Sequence, residues 1–279
     1  MASTQSIDGV QQIIAVSSGK GGVGKSTVSA NLACALARQG KRVGLMDADI
    51  YGPNMPTMMG IVDAPQIKKD PKRGEVFLPP SGHGVKVMSM GFLAPPDQPM
   101  IWRGPMLHNI LSQFCHQVDW GELDILVIDM PPGTGDVQLS LGQLLPLTGA
   151  ILVTTPQEIA LQDVRKAVQM WKKVKVPIIG IIENMSYFED PSGMRHEIFG
   201  AGGGEVLAKK YETELLAQFP LQPQIREGGD DGIPVASEAS KRSESETFLR
   251  LAEVVAVRLD QMKAEGVNPA DIVQIGRFE

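Results

Sequence analysis

The sequence has 279 residues, of which 43% are hydrophobic and 21% charged, and its formal net charge is −6. This composition is that of a soluble globular protein with one large core or two small ones. An acidic balance argues against bulk binding to a nucleic-acid backbone, and there is no apolar run of the roughly 18 residues needed to cross a bilayer. The chain starts without the features of a signal peptide, and its two cysteines are too few for a disulfide framework. We therefore expect a cytoplasmic protein that binds neither nucleic acid nor membrane.

Six apolar runs rich in Val, Ile and Leu predict the strands of a buried sheet. They are nearly continuous rather than alternating, which is typical of strands covered on both faces. Segments with helical spacing lie between them, and this alternation predicts an α/β fold with a doubly wound, mostly parallel sheet. The six runs are residues 12–18, 42–47, 124–130, 149–155, 177–183 and 215–220.

The segment at about residues 63–100 breaks this rhythm, because it contains many prolines and glycines. We interpret it as a hairpin and loop inserted into a single domain. A helical segment that follows it has Pro105 near its start, a favoured position for proline. The predicted domain covers residues 10–263, with terminal extensions at 1–9 and 264–279.

A glycine-rich loop at residues 17–27 reads SSGKGGVGKST and contains the pattern G-x4-G-K-[ST]. It lies between a predicted strand and a predicted helix, as a phosphate-binding loop requires. Its backbone N–H groups can wrap a β-phosphate, and the helix N-terminus adds partial positive charge. Lys25 is expected to neutralise phosphate oxygens, and the Ser26 hydroxyl to bind Mg²⁺. The predicted nucleotide-binding residues here are Gly19, Lys20, Gly21, Gly22, Val23, Gly24, Lys25, Ser26 and Thr27.

Acidic residues at the ends of two predicted strands complete this site. Asp129 ends a buried apolar run, where an unpaired carboxylate would be costly, so we expect it in the Mg²⁺ shell; a simple strand-end cap is the alternative. Asp47 and Asp49 end another strand, at the edge where open α/β sheets bind ligands. We expect Asp49 to orient the attacking water and Asp47 to support the metal shell, with plain turn chemistry as the alternative. Asp136 is placed to sense the γ-phosphate.

Asn184 closes the predicted strand at residues 177–183. An amide at this position can both donate to and accept from an adenine edge, so Asn184 is a candidate for recognition of the base. A turn-forming asparagine fits the spacing nearly as well.

Five segments together, GKGGVGKST, DADIYGPN, DMPPGTGD, ENMS and IFGAGGGEVLAKKY, resemble the Mrp/ApbC (Nbp) family of P-loop ATPases. The likeness extends over about residues 10–260 and implies the P-loop fold of MinD, ParA and nitrogenase iron protein. These deviant Walker A proteins have an extra lysine, here Lys20, which reaches into the partner's site of a homodimer. A cation supplied in this way would stabilise charge on the transferred phosphoryl group. The resemblance thus implies slow, dimer-dependent hydrolysis of ATP with Mg²⁺, with Lys20 and Asp49 as catalytic residues; a solvated loop lysine is the alternative.

The same resemblance implies an iron–sulfur cluster carrier that passes a bridging 4Fe-4S cluster to apo iron–sulfur proteins. In the family a C-x-x-C pair after the ENMS segment holds the cluster, because soft thiolates suit iron. This sequence instead has EDPSG at residues 189–193. The nearby groups that remain suit either a divalent metal or a solvated polar hairpin: Glu189, Asp190, His196 and Glu197.

The two cysteines are poor replacements for that pair. Cys34 lies in the helix after the phosphate loop and is expected in the core, whereas Cys115 is either buried or near the surface. Two further readings therefore stand beside the cluster carrier. One is a positioning switch of the MinD or ParA kind, although the tail is neither basic nor amphipathic. The other is an ATPase adaptor that has lost cluster binding.

Overall fold

The computed structural model describes residues 6–92, 112, 114–238, 240 and 244–265. The predicted helix that starts near Pro105, the end of the inserted segment and the outer parts of both termini lie outside the described residues. None of the helices in the described ranges has the length and apolar character needed to cross a bilayer.

The strands and helices alternate along most of the chain. The strands are β1 (Val10–Ser18), β2 (Val43–Asp47), β3 (Gln66–Asp70), β4 (Gly74–Leu78), β5 (Ser81–Gly82), β6 (Val85–Ser89), β7 (Leu123–Asp129), β8 (Gly149–Thr154), β9 (Ile178–Glu183), β10 (Phe188–Glu189), β11 (Arg195–His196) and β12 (Leu215–Gln218). The helices are α1 (Lys25–Arg38), α2 (Met55–Met58), α3 (Asp136–Leu144), α4 (Glu158–Lys173), α5 (Gly203–Tyr211), α6 (Pro223–Asp230) and α7 (Ser245–Ala264), with a 3-10 turn at Met90–Phe92.

Eight strands form the central sheet, in the order β12-β9-β8-β1-β7-β2-β6-β5. All neighbours pair in parallel except β5 and β6. The register places Val16 of β1 beside Asp129 of β7, and Asp129 beside Asp47 of β2. The carboxyl ends of the three strands therefore meet at one edge, where open parallel sheets bind ligands.

Helices cover both faces of this sheet, and each face has its own apolar core. Along β1, Ile13 and Ala15 belong to one core and Ile14 and Val16 to the other, because successive side chains of a strand point to opposite faces. One core includes residues of α4 and α5, and the other residues of α1 and α7. The predicted doubly wound α/β fold is confirmed, and each of the six predicted runs contains a strand.

The segment predicted as an insertion contributes more to the sheet than the sequence indicated. Its first part is a separate antiparallel hairpin of β3 and β4. Its second part, β6, is a strand of the central sheet that pairs with β2 over five residues. The predicted hairpin and loop included no strand of the central sheet, because this stretch is short and lies among glycines and prolines that normally indicate loops. The predicted domain boundaries remain a prediction.

An aromatic pair joins the sheet edge to the last helix. Phe219, just after β12, stacks on Phe248 of α7 with ring centroids 4.1 Å apart, and both side chains are buried.

We expect Phe248→Ala to lower the free energy of unfolding by about 3–5 kcal/mol, because it removes a large buried ring and leaves a cavity. Denaturation in urea measures this loss. Val257→Ala, on the exposed side of the same helix, is the matched control and should change stability by about 0.5 kcal/mol or less; equal losses would contradict the packing role of Phe248.

Candidate nucleotide site

The loop between β1 and α1 has a left-handed backbone at two glycines. Gly22 has a φ of 80° and Gly24, at the N-terminus of α1, a φ of 83°. Glycine adopts this conformation without a steric penalty, which lets the loop turn sharply into the helix. The free N–H groups of the first helical turn are thereby presented at the same edge of the sheet as Asp129.

Gly19 is required for another reason, which the sequence did not reveal. A Cβ at Gly19 would overlap the backbone carbonyl carbon of Asp163 in α4. The start of the loop therefore packs directly on a neighbouring helix. Val23 also points inward and is buried, so neither residue lines the cavity above the loop.

That cavity has a volume of about 250 Å³ and lies at the carboxyl edge of the sheet. Its wall also includes Pro132, from the loop that follows Asp129. Most of the residues predicted to contact phosphate and catalyse its transfer are thus brought together. Those that line the cavity are Lys20, Gly21, Gly22, Gly24, Lys25, Ser26, Thr27 and Asp49.

Asp129 is the buried anion beneath this cavity. Its Oδ2 lies 2.7 Å from Lys25 Nζ and accepts a hydrogen bond of 2.8 Å from Ser26 Oγ. Its Oδ1 accepts a 2.6 Å hydrogen bond from Ser29 Oγ, a residue that the sequence analysis missed. Ser29 is one helical turn beyond Ser26, so the two hydroxyls share a face of α1. A fully buried carboxylate is tolerated here because an ammonium and two hydroxyls surround it.

Asp47 is equally buried but is engaged by the chain around it. Its Oδ1 accepts from the N–H of Asp49 at 3.1 Å, and its Oδ2 from the N–H of Met55 at 3.2 Å and from Ser89 Oγ at 2.8 Å. Burial, and secondly the charge of Asp129, raise the pKa of Asp47 to about 7. These contacts are those of the turn-chemistry alternative, since they fix the loop between β2 and α2. The supporting role of Asp47 in a metal shell remains a prediction.

Asp49 belongs to the same loop and lies nearer the cavity. Its Oδ1 accepts from the backbone N–H groups of Tyr51 and Gly52 at 3.2 and 3.3 Å. Its Oδ2 lies 3.6 Å from Lys25 Nζ. One oxygen thus shapes the turn while the other faces the ammonium. The predicted role in orienting water remains compatible with this arrangement but is not tested by it.

Asn184 contacts the phosphate loop itself. Its Nδ2 donates to the carbonyl oxygen of Val23 at 2.9 Å, and a Cβ at Gly24 would overlap Nδ2. Gly24 is therefore needed both for its φ and for this contact. One amide hydrogen of Asn184 is already used within the protein, which leaves the other hydrogen and Oδ1 for a base. Recognition of adenine by Asn184 remains a prediction.

A larger cavity, of about 450 Å³, adjoins the first one. The two share wall residues of the loop and of α2, and Asn184 lines the larger one. A phosphate chain in the small cavity and a base in the large one would fit this arrangement. The apolar wall that a base would contact is formed by Met58, Met185, Pro220, Leu221 and Ile225.

Lys20 lies at the edge of the cavity, and its role in a partner's site remains a prediction. Its side chain is half-exposed at the cavity, and among the side chains that the structure describes no carboxylate pairs with it.

Helix α3 begins at Asp136, whose side chain lies outside the described residues. The loop before that helix is held by Gln138, a residue the sequence analysis missed; its buried side-chain amide donates to the carbonyl oxygen of Pro131.

Where the resemblance implied a C-x-x-C pair, this chain has a polar hairpin formed by β10 and β11. Asp190 Oδ1 accepts from the N–H and hydroxyl of Ser192, at 2.9 and 2.6 Å, and Oδ2 accepts from His196 Nε2 at 2.8 Å. These bonds, the one from His196 first, hold the pKa of Asp190 well below its usual range. Within the described ranges no group of three His, Cys, Asp or Glu residues is placed to bind a metal. The polar hairpin named as one alternative is thus formed, with Asp190 hydrogen-bonded to Ser192 and His196 within it.

Both cysteines are in the core. Cys34 and Cys115 are fully buried, and burial raises the pKa of each thiol to about 12. The prediction of a core position for Cys34 is confirmed, and Cys115 is buried rather than near the surface. Only a thiolate binds iron well, so neither residue is suited to hold a cluster.

A glycine loop between the central parallel strand and its helix, with a lysine, a hydroxyl and a buried aspartate at its base, defines a P-loop nucleoside triphosphatase. The family model described as NUBPL iron-transfer P-loop NTPase, of the ParA group, matches residues 9–256, and the chain belongs to this family. This confirms the resemblance found in the sequence.

Several known proteins are similar to this chain. An iron-sulfur cluster carrier protein of Synechocystis sp. is 50% identical over 254 residues, which cover 90% of this chain and 72% of the relative. Among solved structures, a nucleotide-binding protein in complex with ADP from Archaeoglobus fulgidus is 40% identical, with a TM-score of 0.70 over 81% of this chain and 88% of that one. MinD complexed with Mg-ADP from Pyrococcus horikoshii is 27% identical, with a TM-score of 0.62 over 88% and 95% of the two chains.

The burial of the thiols leads to a direct chemical expectation. In the native protein neither Cys34 nor Cys115 should react with Ellman's reagent on a timescale of minutes, because both are buried and protonated. The same titration in denaturant should release two equivalents, which serves as the internal control. Rapid reaction of a thiol in the folded protein would contradict its placement in the core.

Proposed function

We propose that this protein is a Mg²⁺-dependent ATPase that acts as a homodimer in iron–sulfur cluster assembly. The observation that carries the proposal is the arrangement of Lys25, Ser26 and Asp129 beneath a cavity lined by the phosphate loop. Membership in a family of iron-transfer P-loop NTPases supplies the biological process. Relatives about 50% identical over most of this chain are named iron-sulfur cluster carrier proteins.

Binding of the triphosphate follows from the charges at the site. Lys25 Nζ now lies between two carboxylates, 2.7 Å from Asp129 and 3.6 Å from Asp49. Phosphate oxygens entering the cavity compete with these carboxylates for the ammonium, while the loop amides bind the same oxygens. The adjoining apolar cavity accepts the base.

The residues at the base of the loop fit a magnesium ion. Ser26 Oγ and Asp129 Oδ2 are hard oxygen ligands only 2.8 Å apart, and Mg²⁺ is usually held by one or two such groups together with substrate phosphates and water. When bound, Mg²⁺ would neutralise charge on the phosphate oxygens. Asp47 supports this region through the loop that it holds.

Asp49 is the candidate for orienting the attacking water. The N–H groups of Tyr51 and Gly52 fix its Oδ1, so that the carboxylate has one orientation at the cavity wall. A carboxylate held in this way can accept a hydrogen bond from a water molecule. The lone pair of the water oxygen is then directed towards the γ-phosphate. Lys20 of the partner would then stabilise the charge that develops on the transferred group.

The cargo needs ligands that this chain does not expose. Its only two cysteines are buried, and the hairpin at residues 188–196 offers a hydrogen-bonded set of oxygen and nitrogen atoms. We therefore propose that a protein partner with its own cysteines holds the cluster, which is the substrate of the process. The same observation favours a second candidate, an ATPase adaptor that no longer handles clusters.

The role of Lys20 in trans is tested by mixing two impaired variants. Lys20→Ala should keep nucleotide affinity but lower turnover by about 10²–10³-fold, as expected for loss of one group that stabilises the transition state. Lys25→Ala should bind ATP about a hundredfold more weakly, because a charge-assisted contact of about 3 kcal/mol is lost.

In mixed dimers the intact site of the Lys20→Ala subunit faces the Lys20 of the Lys25→Ala subunit. At ATP concentrations too low to fill the Lys25→Ala site, each variant alone should turn over slowly, and phosphate release should rise in the mixture towards one active site per mixed dimer. If mixing restored nothing while both variants were folded, a lysine supplied across a dimer would be refuted.

Anaerobic reconstitution with iron and sulfide tests whether this chain holds an iron–sulfur cluster itself or leaves it to a partner. We expect the purified protein to retain far less than the approximately four irons per dimer of a bridging 4Fe-4S cluster. Glu189→Cys with Ser192→Cys restores the C-x-x-C spacing without using Gly193, whose φ is 83°, and should gain a stable absorbing cluster. A stable cluster in the unaltered protein would show that the chain itself is the carrier. ATP turnover in the same samples distinguishes loss of the ATPase from loss of cargo binding.

A further inference from the structure

Another buried carboxylate, besides Asp129 and Asp47, lies near the site, and the chemistry above does not use it. Glu183 ends β9 and is fully buried. Among the described residues no cation lies within ion-pair distance of it. Burial of an unpaired charge is costly unless hydrogen bonds surround it, so the contacts of Glu183 indicate what it does.

Those contacts are three neutral donors from different parts of the chain. Glu183 Oε1 accepts from Ser186 Oγ at 3.0 Å and from Gln218 Nε2 at 2.9 Å. Its Oε2 accepts from the backbone N–H of Gly204 at 2.6 Å, at the N-terminus of α5. The helix dipole adds stabilisation to a carboxylate at this position.

Two of these contacts, from Ser186 and Gly204, lie on either side of one segment of the chain. That segment, residues 187–202, is called here the cargo-side loop; it runs from the turn after β9 to the start of α5 and includes the β10–β11 hairpin. Glu183 binds both ends of this segment. The approach at Gly204 is close, since a Cβ there would lie 3.0 Å from Glu183 Cβ and 3.2 Å from Oε2.

The residues next to Glu183 bind the phosphate loop. Asn184 Nδ2 donates to the carbonyl oxygen of Val23, as described above. Met185 has a left-handed backbone with a φ of 55°, which is strained for a side chain of this kind. Two backbone hydrogen bonds on either side stabilise this conformation. The N–H of Asn184 donates to Thr154 O at 2.8 Å, and the N–H of Ser186 donates to Phe219 O at 2.9 Å. The turn from Glu183 to Ser186 is therefore held in place, with Asn184 bound to the phosphate loop and Glu183 bound to Gly204, just after the cargo-side loop.

We propose that Glu183 is a positioning residue that transmits the nucleotide state of the phosphate loop to the cargo-side loop. The inference rests on the proposed nucleotide-binding function and adds its regulation. A shift of Val23 and Gly24 on nucleotide binding moves Asn184, and the turn carries this shift to Glu183. The carboxylate then passes it to Gly204 and to the base of the cargo-side loop.

Hydrogen exchange of the full-length protein, with and without ATP and Mg²⁺, tests the proposal. In the unaltered protein we expect ATP to change the exchange rates of amides at residues 187–202 by about tenfold. Glu183→Gln should bind ATP with an affinity within about threefold of the unaltered protein, yet lose this response. The reason is that the glutamine side chain would carry an amide nitrogen in place of one carboxylate oxygen. This nitrogen cannot accept a hydrogen bond, so at least one of the three donors to Glu183 would lose its acceptor.

Two further variants identify the cause. Glu205→Gln removes the same charge from the first turn of α5 at an exposed position, and should behave like the unaltered protein. Gly204→Ala disturbs the same contact from the other side and should reproduce the loss of response, also in the event that Glu183→Gln does not fold. A purely structural role would raise exchange throughout the core and leave the response of the cargo-side loop to ATP in place.

The outcomes separate the two proposals. If the unaltered protein binds ATP and its cargo-side loop does not respond, or if the response persists in both Glu183→Gln and Gly204→Ala, Glu183 does not transmit the nucleotide state. If the unaltered protein does not bind ATP at all, the proposed function fails, and the inference that rests on it fails as well.

Discussion

The ion pair of Lys25 and Asp129 is the interaction on which the rest of the site depends. It lies where two parallel strands end, with Asp129 fully buried and Lys25 nearly so, and removing either partner would leave a poorly solvated charge. Its position follows from the fold, because the strand order brings the end of β7 beside the start of the phosphate loop. The hydroxyls of Ser26 and Ser29 complete the surroundings of the carboxylate. A site for a highly charged ligand is thus organised around a charge pair that the sheet itself holds.

The glycines of the loop serve the packing of the protein as much as the ligand. Gly19 allows α4 to approach, and Gly24 allows the amide of Asn184 to approach. Both contacts tie the loop to distant parts of the chain, on the side where the sheet continues towards β8 and β9. The loop is consequently not an isolated cradle. A hydrogen bond connects it to the turn after β9, and that turn is bonded in the same way to Gly204 at the base of the cargo-side loop.

The features that the sequence predicted are those with a local signal. Continuous apolar runs indicated the main strands, and the spacing of Gly19, Gly24, Lys25 and Ser26 indicated the phosphate loop. The sequence could not show contacts between distant residues, such as Ser89 with Asp47 or Glu183 with Gly204, because no spacing relates them. Strand β6 was missed since its pattern is short and its partner β2 is 38 residues or more away. Asn184 was singled out from the sequence as a candidate for the base, whereas its contact with Val23 depends on the fold.

The burial of both sulfhydryl groups also affects how the protein would behave under oxidative stress. Peroxide and disulfide reagents attack thiolates that solvent can reach. Cys34 and Cys115 are both buried, and burial raises the pKa of each thiol, so neither is such a thiolate. The nucleotide site, which contains no cysteine, would then keep its geometry under conditions that oxidise exposed thiols.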